Sequence, residues 1–241
     1  INSQKKELEQ VIADRQQLYA VVAHDLRSPL GIIKTTLNML TESLSPATID
    51  PDLYELVVAT NQSGEELFAL LDNLLNWARY QMGRIAYNPE VFKLSEAAKD
   101  GVHACDMIAK ANNIKINLDL ECDSIVNADV KMSSTIVRNF ITNAIKYTED
   151  GGSIDVRLRC DEQYSYIDVI DYGIGISEEN QEALRSNLSI TTTSLRNEEG
   201  NGLGLTLCRD FALKNGGKMT FVSEENKGST FTYILPKFIG E

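Results

Sequence analysis

Two apolar stripes in the first 83 residues constrain how this part of the chain can fold. Apolar residues at steps of three or four run from Val22 to Leu44, which is the spacing of one face of an α-helix, and a second helix with an apolar side is predicted from Leu53 to Ala78. Two such helices form a hairpin with a single apolar face, which one hairpin cannot cover by itself. Two hairpins can cover it as a four-helix bundle. Residues 1–83 are therefore predicted to form an α-helical hairpin that pairs as a homodimer.

From residue 84 onwards the pattern changes to a mixture of strands and helices. We expect a mixed α+β domain over residues 84–241. The expected elements are a short strand at 91–92, a helix over 95–111 with Ser95 as its N-cap, a strand over 114–120, a helix over 129–147, strands over 154–159 and 164–170, helices over 178–186 and 204–214, and a hairpin of strands over 218–222 and 229–235.

Composition narrows the classes of function. The net charge is −12 and no basic stripe is present, so direct nucleic-acid binding is not expected. No run of 18 apolar residues occurs, so this fragment is not expected to contact a membrane directly. The spacing of the cysteines indicates neither a metal site nor a disulfide framework, which fits a reducing cytoplasm; they are Cys105, Cys122, Cys160 and Cys208.

The motif HDLRSPL at residues 24–30 contains a histidine that should face solvent. His24 lies roughly 200° around the helix from Val22, away from the apolar stripe. Asp25 can hold one ring nitrogen by a hydrogen bond and leave the other free as a nucleophile. Pro29 weakens the helix at this point. A plain surface histidine is the alternative interpretation of His24 taken alone.

A pair of asparagines marks the helix predicted over residues 129–147. Asn139, Asn143 and Lys146 fall within roughly 60° of one another, and apolar residues occupy the rest of the helix surface. Asparagine is unfavourable inside a helix, so two of them one turn apart indicate a function. A carboxamide oxygen can bind Mg²⁺, and a lysine can bind phosphate. The alternative is a polar edge on a largely buried helix.

The third motif, DYGIG at residues 171–175, follows a predicted strand. Asp171 shares a strand face with Ile167 and Val169, so its carboxylate should be buried. A buried carboxylate needs hydrogen-bond donors, and an exocyclic amine of a ligand would be one. Gly173 and Gly175 then let a ligand approach the backbone closely. A structural aspartate that caps the next helix is the alternative.

The fourth motif, GNGLGL at residues 200–205, places three glycines directly before an apolar helix. Free N–H groups and the positive end of the helix dipole make such a helix start suitable for an anion. It is not a Walker A loop, because no Gly-Lys-Ser/Thr sequence follows. A flexible linker is the alternative, and the helix that follows at once argues against it.

Together and in this order, the four motifs resemble the histidine box, the asparagine box and the two glycine boxes of sensor histidine kinases of two-component systems. The resemblance covers nearly the whole chain. It implies that residues 1–83 are a dimerisation and histidine-phosphotransfer domain. It also implies that residues 84–241 are a Bergerat-type ATP-binding domain, which is a sandwich of helices on a mixed β-sheet.

The same resemblance implies an activity and its ligands. ATP and Mg²⁺ would bind the second domain, His24 would be phosphorylated, and the phosphoryl group would pass to an aspartate of a response regulator receiver domain. The fragment would lie in the cytoplasm as part of a longer sensor that can be anchored in a membrane elsewhere.

The resemblance further implies a role for each motif residue. His24 would accept the phosphoryl group, Asp25 would activate it, and Ser28 stands where the family often has a residue linked to dephosphorylation of the partner. Asn143 would bind Mg²⁺, with Asn139 assisting. The other nucleotide contacts would be Lys146 with phosphate, Tyr147 beside the adenine, Asp171 with the adenine amine, Gly173 and Gly175 in the pocket wall, Thr192 and Thr193 in a mobile lid over 177–200, and Gly202, Leu203, Gly204 and Leu205 at the phosphates.

Two features depart from the family's pattern. Asp25 stands where glutamate is frequent, and LSITTT at residues 188–193 replaces a Phe-rich stretch of the lid.

Two other functions are alternatives to a histidine kinase. A Bergerat-fold ATPase of another class, such as a chaperone or a mismatch-repair clamp, would not need the phosphoacceptor hairpin. A non-catalytic scaffold would not need intact nucleotide motifs.

Overall fold

The computed structural model of the protein describes residues 29–41, 53–61, 87–189 and 203–240, together with residues 26, 50, 63, 64, 67 and 71. The chain divides into two compact units, Ile1–Ala86 and Tyr87–Glu241. Six residues with predicted roles lie outside the described residues, so those roles stay predictions: His24, Asp25, Ser28, Thr192, Thr193 and Gly202.

Every described element of secondary structure in the first unit is an α-helix. Residues 29–41 belong to helix α1 and residues 53–61 to helix α2. A side chain added at Gly64 would lie 3.1 Å from Leu37 Cδ1, so helical segments pack against each other there. Much of the apolar stripe stays exposed within a single chain. The exposed fractions lie between 44% and 63% for Leu26, Ile33, Leu40, Leu53, Leu56 and Leu67.

The second unit contains seven strands and four helices among the described residues. They are β1 (Glu90–Lys93), α3 (Leu94–Ala111), β2 (Lys115–Leu120), β3 (Ile125–Ala128), α4 (Val130–Tyr147), β4 (Ser153–Cys160), β5 (Tyr164–Asp171), α5 (Glu178–Ser189), α6 (Leu203–Lys214), β6 (Lys218–Glu224) and β7 (Gly228–Pro236).

Five of the strands form the main sheet, in the order β2-β4-β5-β7-β6. Strand β2 runs parallel to β4 and the other neighbours are antiparallel, so the sheet is mixed, as expected. Strands β1 and β3 form a separate antiparallel pair. The register places Asp171, at the end of β5, between Ile154 of β4 and Ser229 of β7.

One face of the main sheet packs against α3, α4 and α6. Alternate residues of the central strands point to this side and are at most 7% exposed: Ile154, Val156, Leu158, Ile167, Val169, Phe231, Tyr233 and Leu235. The Phe140 ring of α4 lies 5.5 Å from the Phe231 ring of β7, measured between centroids. The expected sandwich of helices on a mixed sheet is confirmed.

A buried polar network joins the ends of α4 and α6. Asp129 caps α4, because its Oδ1 accepts the N–H of Met132 at 3.0 Å and its Oδ2 accepts the N–H of Asn88 at 3.0 Å. Asn215 follows α6; its Oδ1 accepts the N–H of Asp129 at 2.9 Å, and its Nδ2 donates to Tyr233 Oη at 2.9 Å. An unpaired polar group at such depth costs about 1–3 kcal/mol, so the network fixes both helix ends.

Three local expectations from the sequence are wrong. Lys93 is the N-cap of α3, and Ser95 is buried in the first turn. Strand β3 is not predicted from the sequence, because four residues are too few to show the alternation of apolar and polar side chains that marks a strand. Cys122 and Cys160 form a disulfide, with Cα atoms 5.9 Å apart. The parallel register of β2 and β4 brings them level although 38 residues separate them.

The described residues contain neither a membrane-spanning helix nor a cluster of metal-binding side chains. None of their helices is long and apolar enough to cross a membrane. No three of their His, Cys, Asp and Glu side chains are grouped so that they could hold a metal ion.

Candidate functional site

Asp171 is a buried carboxylate at the end of the central strand β5, with 5% of its surface exposed. Its Oδ1 accepts two backbone hydrogen bonds, from the N–H of Gly173 at 3.0 Å and from the N–H of Ser229 at 3.2 Å. The first donor comes from the turn after β5 and the second from the neighbouring strand. Two different elements therefore hold this carboxylate in place.

The buried Asp171 carboxylate can accept a further hydrogen bond from a donor on a ligand. Burial raises the pKa of this carboxyl above its ordinary value, and the hydrogen bonds from Gly173 and Ser229 oppose part of the rise. In the described part of the chain, no lysine or arginine forms an ion pair with Asp171. A hydrogen-bond donor on a ligand would stabilise the ionised form.

The turn after Asp171 lies directly against the end of α4. Tyr147 O accepts the N–H of Ile174 at 3.1 Å. A side chain at Gly173 would lie 1.9 Å from the same carbonyl oxygen, so only glycine fits here. This contact brings the second motif, through Tyr147, beside the third motif, through Gly173.

The middle of α4 meets the start of α6. A side chain at Gly204 would lie 2.5 Å from Asn139 Oδ1, so the carboxamide occupies the space beside this glycine. The second motif therefore also contacts the fourth. Leu205, the next residue of α6, is half-buried. Three of the four sequence motifs converge on α4.

The polar face of α4 is open at its end. Asn139 and Asn143 are half-buried, whereas Lys146 and Tyr147 are exposed. The Lys146 ammonium lies 5.6 Å from the centre of the Tyr147 ring. The face therefore offers two carboxamides, a cation and an aromatic ring over about two turns of helix. This set suits a ligand that carries phosphate groups and a flat ring.

The hairpin of β6 and β7 closes the far side of the turn. Gly175 has φ +64°, and a side chain there would lie 2.1 Å from Glu224 O. The N–H of Asn226 donates to Ile174 O at 2.7 Å. The glycine is required both for its backbone conformation and for this close approach. The predicted pocket wall is thus also the place where β5 packs on the hairpin.

Sequence reasoning missed three residues of this region. Ser229 donates to Asp171, and a side chain at Gly228 would lie 2.0 Å from Asp171 O. Both depend on the β5–β7 register, which no local pattern reveals. Thr148 Oγ1, just beyond α4, is buried and has no hydrogen-bond partner among the described residues. In the sequence, Thr148 is marked only by its place directly after Tyr147, the last residue of the predicted helix.

Two family models match this chain. One is described as Histidine kinase-, DNA gyrase B-, and HSP90-like ATPase and matches residues 128–239. The other is described as His Kinase A (phospho-acceptor) domain and matches residues 14–83. The first range contains Asn139, Asp171 and Gly204, and the second contains His24.

Curated proteins similar to this chain are histidine kinases. The circadian input-output histidine kinase CikA of Synechococcus elongatus is 30% identical over 230 residues, which is 93% of this chain and 30% of CikA. The sensor histidine kinase RppB of Synechocystis is 30% identical over 226 residues, covering 93% of this chain and 49% of RppB. The chain therefore spans no more than about half the length of either relative.

Solved structures with a similar fold include the catalytic domain of a histidine kinase and the full-length protein ShkA. The catalytic domain of histidine kinase ThkA is 26% identical, has a TM-score of 0.53, and covers 62% of this chain and 98% of its own. Full-length ShkA in complex with AMPPNP has a TM-score of 0.64 and covers 93% of this chain and 47% of its own. At 19% identity, ShkA supports the fold alone.

The contact between Asn139 and Gly204 predicts an energetic coupling between α4 and α6. Gly204→Ala should lower the free energy of unfolding in the parent, because the new methyl group meets the Asn139 carboxamide. In the Asn139→Ala background the cost of Gly204→Ala should be smaller by about 1 kcal/mol. A double-mutant cycle of urea unfolding measures this coupling. Thr142→Ala, on the same helix but not among the atoms nearest to Gly204, is the matched control and should combine additively with Gly204→Ala. Additivity in both pairs would contradict the contact.

Proposed function

Because the chain belongs to the histidine kinase family, we propose that it uses ATP to phosphorylate its own His24. The phosphoryl group then passes to an aspartate of a response regulator receiver domain in two-component signal transduction. The observation that carries the proposal is the buried Asp171 carboxylate, which pairs with no described lysine or arginine and whose turn packs against the end of α4, the helix on which three motifs converge. Use of ATP places this part of the protein in the cytoplasm.

The adenine end of ATP fits the surroundings of Asp171. The carboxylate accepts hydrogen bonds only, so it can receive the exocyclic amine of adenine. Gly173 and Gly175 let the turn after Asp171 pack closely on Tyr147 and on the β6–β7 hairpin, and Tyr147 lies beside this turn with 40% of its surface exposed. Thr148 Oγ1, which is buried and has no hydrogen-bond partner among the residues that the structure describes, can form a further hydrogen bond to the ligand or to a bound water.

The phosphate end fits the polar face of α4 and the start of α6. Asn143, assisted by Asn139, offers carboxamide oxygen to Mg²⁺, and Lys146 offers a positive charge to phosphate. Mg²⁺, when bound, would neutralise charge on the phosphates. The first N–H groups of α6, around Gly202, Leu203, Gly204 and Leu205, suit phosphate oxygens. Thr192 and Thr193 belong to the lid that we propose covers the nucleotide.

The transfer step requires little covalent chemistry from the protein. One neutral imidazole nitrogen of His24 donates its lone pair to the γ-phosphorus, and the bond from that phosphorus to the bridging oxygen breaks. ADP leaves with the electrons of that bond. Asp25 holds the proton on the other ring nitrogen and stabilises the positive charge that develops on the ring. The ATP-binding unit contributes positioning and charge neutralisation.

The phosphoacceptor unit is proposed to act as a homodimer. Within one chain, Leu40, Leu53 and Leu56 are 44%, 51% and 63% exposed. Burial of such side chains contributes about 1.5–3 kcal/mol each, so a second copy of the hairpin is a favourable cover. We assign residues 1–83 to dimerisation and phosphotransfer and residues 84–241 to ATP binding. Ser28, four residues after His24, is proposed to help remove phosphate from the partner.

The phosphoacceptor assignment predicts one labelled residue. With labelled ATP and Mg²⁺, the protein should gain label that is lost in acid and retained in base, as expected of a phosphorus–nitrogen bond. His24→Gln should abolish labelling because glutamine has no nucleophilic nitrogen, while ATP binding stays near normal. Label that persists in this variant, or that survives acid, would refute the assignment.

The adenine assignment predicts different results for two aspartates of β5. Asp171→Asn should weaken ATP binding at least about tenfold, because a hydrogen bond to a charged group is lost and a donor faces the amine. Asp168→Asn is the matched control, since Asp168 is equally buried but lies on the other sheet face, where Thr232 Oγ1 donates to it at 2.6 Å.

Calorimetric titration with ATP measures both variants. Asp168→Asn should keep ATP affinity within about twofold of the parent, although its loss of hydrogen bonds lowers stability. Equal affinities for the two variants would remove the adenine role of Asp171.

A further inference from the structure

The four cysteines fall into two chemical classes. Cys105 and Cys208 are buried free thiols. Burial raises the pKa of Cys105 to about 11 and also raises the pKa of Cys208, so neither forms a reactive thiolate at neutral pH. Cys122 is half-buried and Cys160 is exposed, and the two are joined in a disulfide. Only the joined pair can be reached from solvent.

The disulfide lies at the opposite end of the main sheet from the candidate site. Cys160 pairs with Ser165 at one end of β4 and β5, whereas Ile154 pairs with Asp171 at the other. Six residues of extended strand separate Cys160 from Ile154, which is about 20 Å. A change at the disulfide therefore need not alter the nucleotide contacts directly.

The disulfide links the main sheet to the small sheet of β1 and β3. Cys122 belongs to the connection between β2 and β3, and Cys160 ends β4. The N–H of Leu94 donates to Ser124 O of the same connection at 3.0 Å. The small sheet begins at Glu90, close to the boundary between the two units at residue 86. The bond thus ties the β2–β3 connection, which contacts the start of α3 and leads into the small sheet, to the end of β4.

We infer that Cys122 and Cys160 form a reversible redox site that exchanges with low-molecular-weight thiols and disulfides of the glutathione type. The inference rests on the proposed function, because use of ATP places the domain in a reducing cytoplasm. Disulfides in that compartment are usually transient, catalytic or redox-sensing. Cys160 is exposed, so a small thiol can reach it. Cys122 lies beside Cys160, close enough to form the disulfide in the second step.

Oxidation of the pair proceeds in two exchange steps. The Cys160 thiolate attacks one sulfur of the small disulfide, forms a mixed disulfide and releases one small thiolate. The Cys122 thiolate then attacks Cys160 Sγ, forms the protein disulfide and releases the second small thiolate. The two protons of the protein thiols end on the two released thiols. Two small thiols reverse the sequence and regenerate the small disulfide.

Reduction should loosen the small sheet without changing the nucleotide site. Lys93 Nζ lies 3.2 Å from Asp123 Oδ2, but both partners are partly exposed, so this ion pair holds the connection weakly. The hydrogen bond from the N–H of Phe238 to Ile125 O, at 2.8 Å, is another noncovalent tie, beside the hydrogen bonds of Ser124 with Leu94 and Ser165. Without the covalent link, the amides of β1 and β3 should exchange hydrogen faster.

Thiol counting on the full chain across a series of reduced-to-oxidised glutathione ratios tests the inference. Native protein should show two reactive thiols at the reducing end and none at the oxidising end, with a transition inside the series. The oxidised form should melt roughly 10 °C higher, because the bond closes a long loop of the unfolded chain. Hydrogen exchange of β1 and β3 should slow on oxidation.

Two variants complete the test. Cys160→Ser should lose the redox-dependent shift in melting temperature, whereas Cys105→Ala removes a buried thiol and should retain it. A pair that stays oxidised, or stays reduced, at every ratio would overturn the inference, as would labelling of Cys105 or Cys208 in the native protein. None of these measurements needs ATP or His24, so a failure here is distinguishable from a failure of the proposed kinase activity.

Discussion

The register of β5 against β7 is the constraint on which the candidate site depends. Asp171 receives one of its two hydrogen bonds from Ser229 across this pairing, and the turn that follows β5 supplies the other from Gly173. A slip of one residue would move Asp171 to the opposite face of the sheet and bring Ile170 in its place. The proposed adenine acceptor is therefore positioned by the sheet, and its unusual burial follows from a strand that remains in the core to its last residue.

Helix α4 is the element that this sheet supports and that connects the remaining motifs. Its start is fixed by Asp129 and Asn215, its middle carries Asn139 against Gly204, and Tyr147 at its end binds the turn after β5. Because all these contacts converge on one rigid helix, a shift at either end alters both halves of the proposed nucleotide site. The contact with Gly204 gives Asn139 a packing role on a helix that otherwise packs apolar side chains on the core.

Local patterns in the sequence were sufficient for most of the fold and for part of the site. The periods of apolar residues predicted the long helices and the central strands, and the face shared by Ile167, Val169 and Asp171 correctly predicted a buried carboxylate. Contacts between distant segments could not be predicted in this way. Ser229 lies 58 residues from Asp171, and the Cys122–Cys160 bond follows from a parallel pairing that neither strand reveals alone. The roles of His24 and of the lid residues depend on the family resemblance and stay predictions.

If the phosphoacceptor and the nucleotide site lie on different parts of the chain, as proposed, separating the two domains should separate their functions. A fragment of residues 84–241 should bind ATP as a monomer but not label itself, because it contains no acceptor. A fragment of residues 1–83 should be a helical dimer that is inert towards ATP. When mixed, the two should label His24, but slowly, because cutting the chain removes an effective concentration in the millimolar range, about that of a short tether. Self-labelling by residues 84–241, or a monomeric 1–83 fragment, would contradict the account.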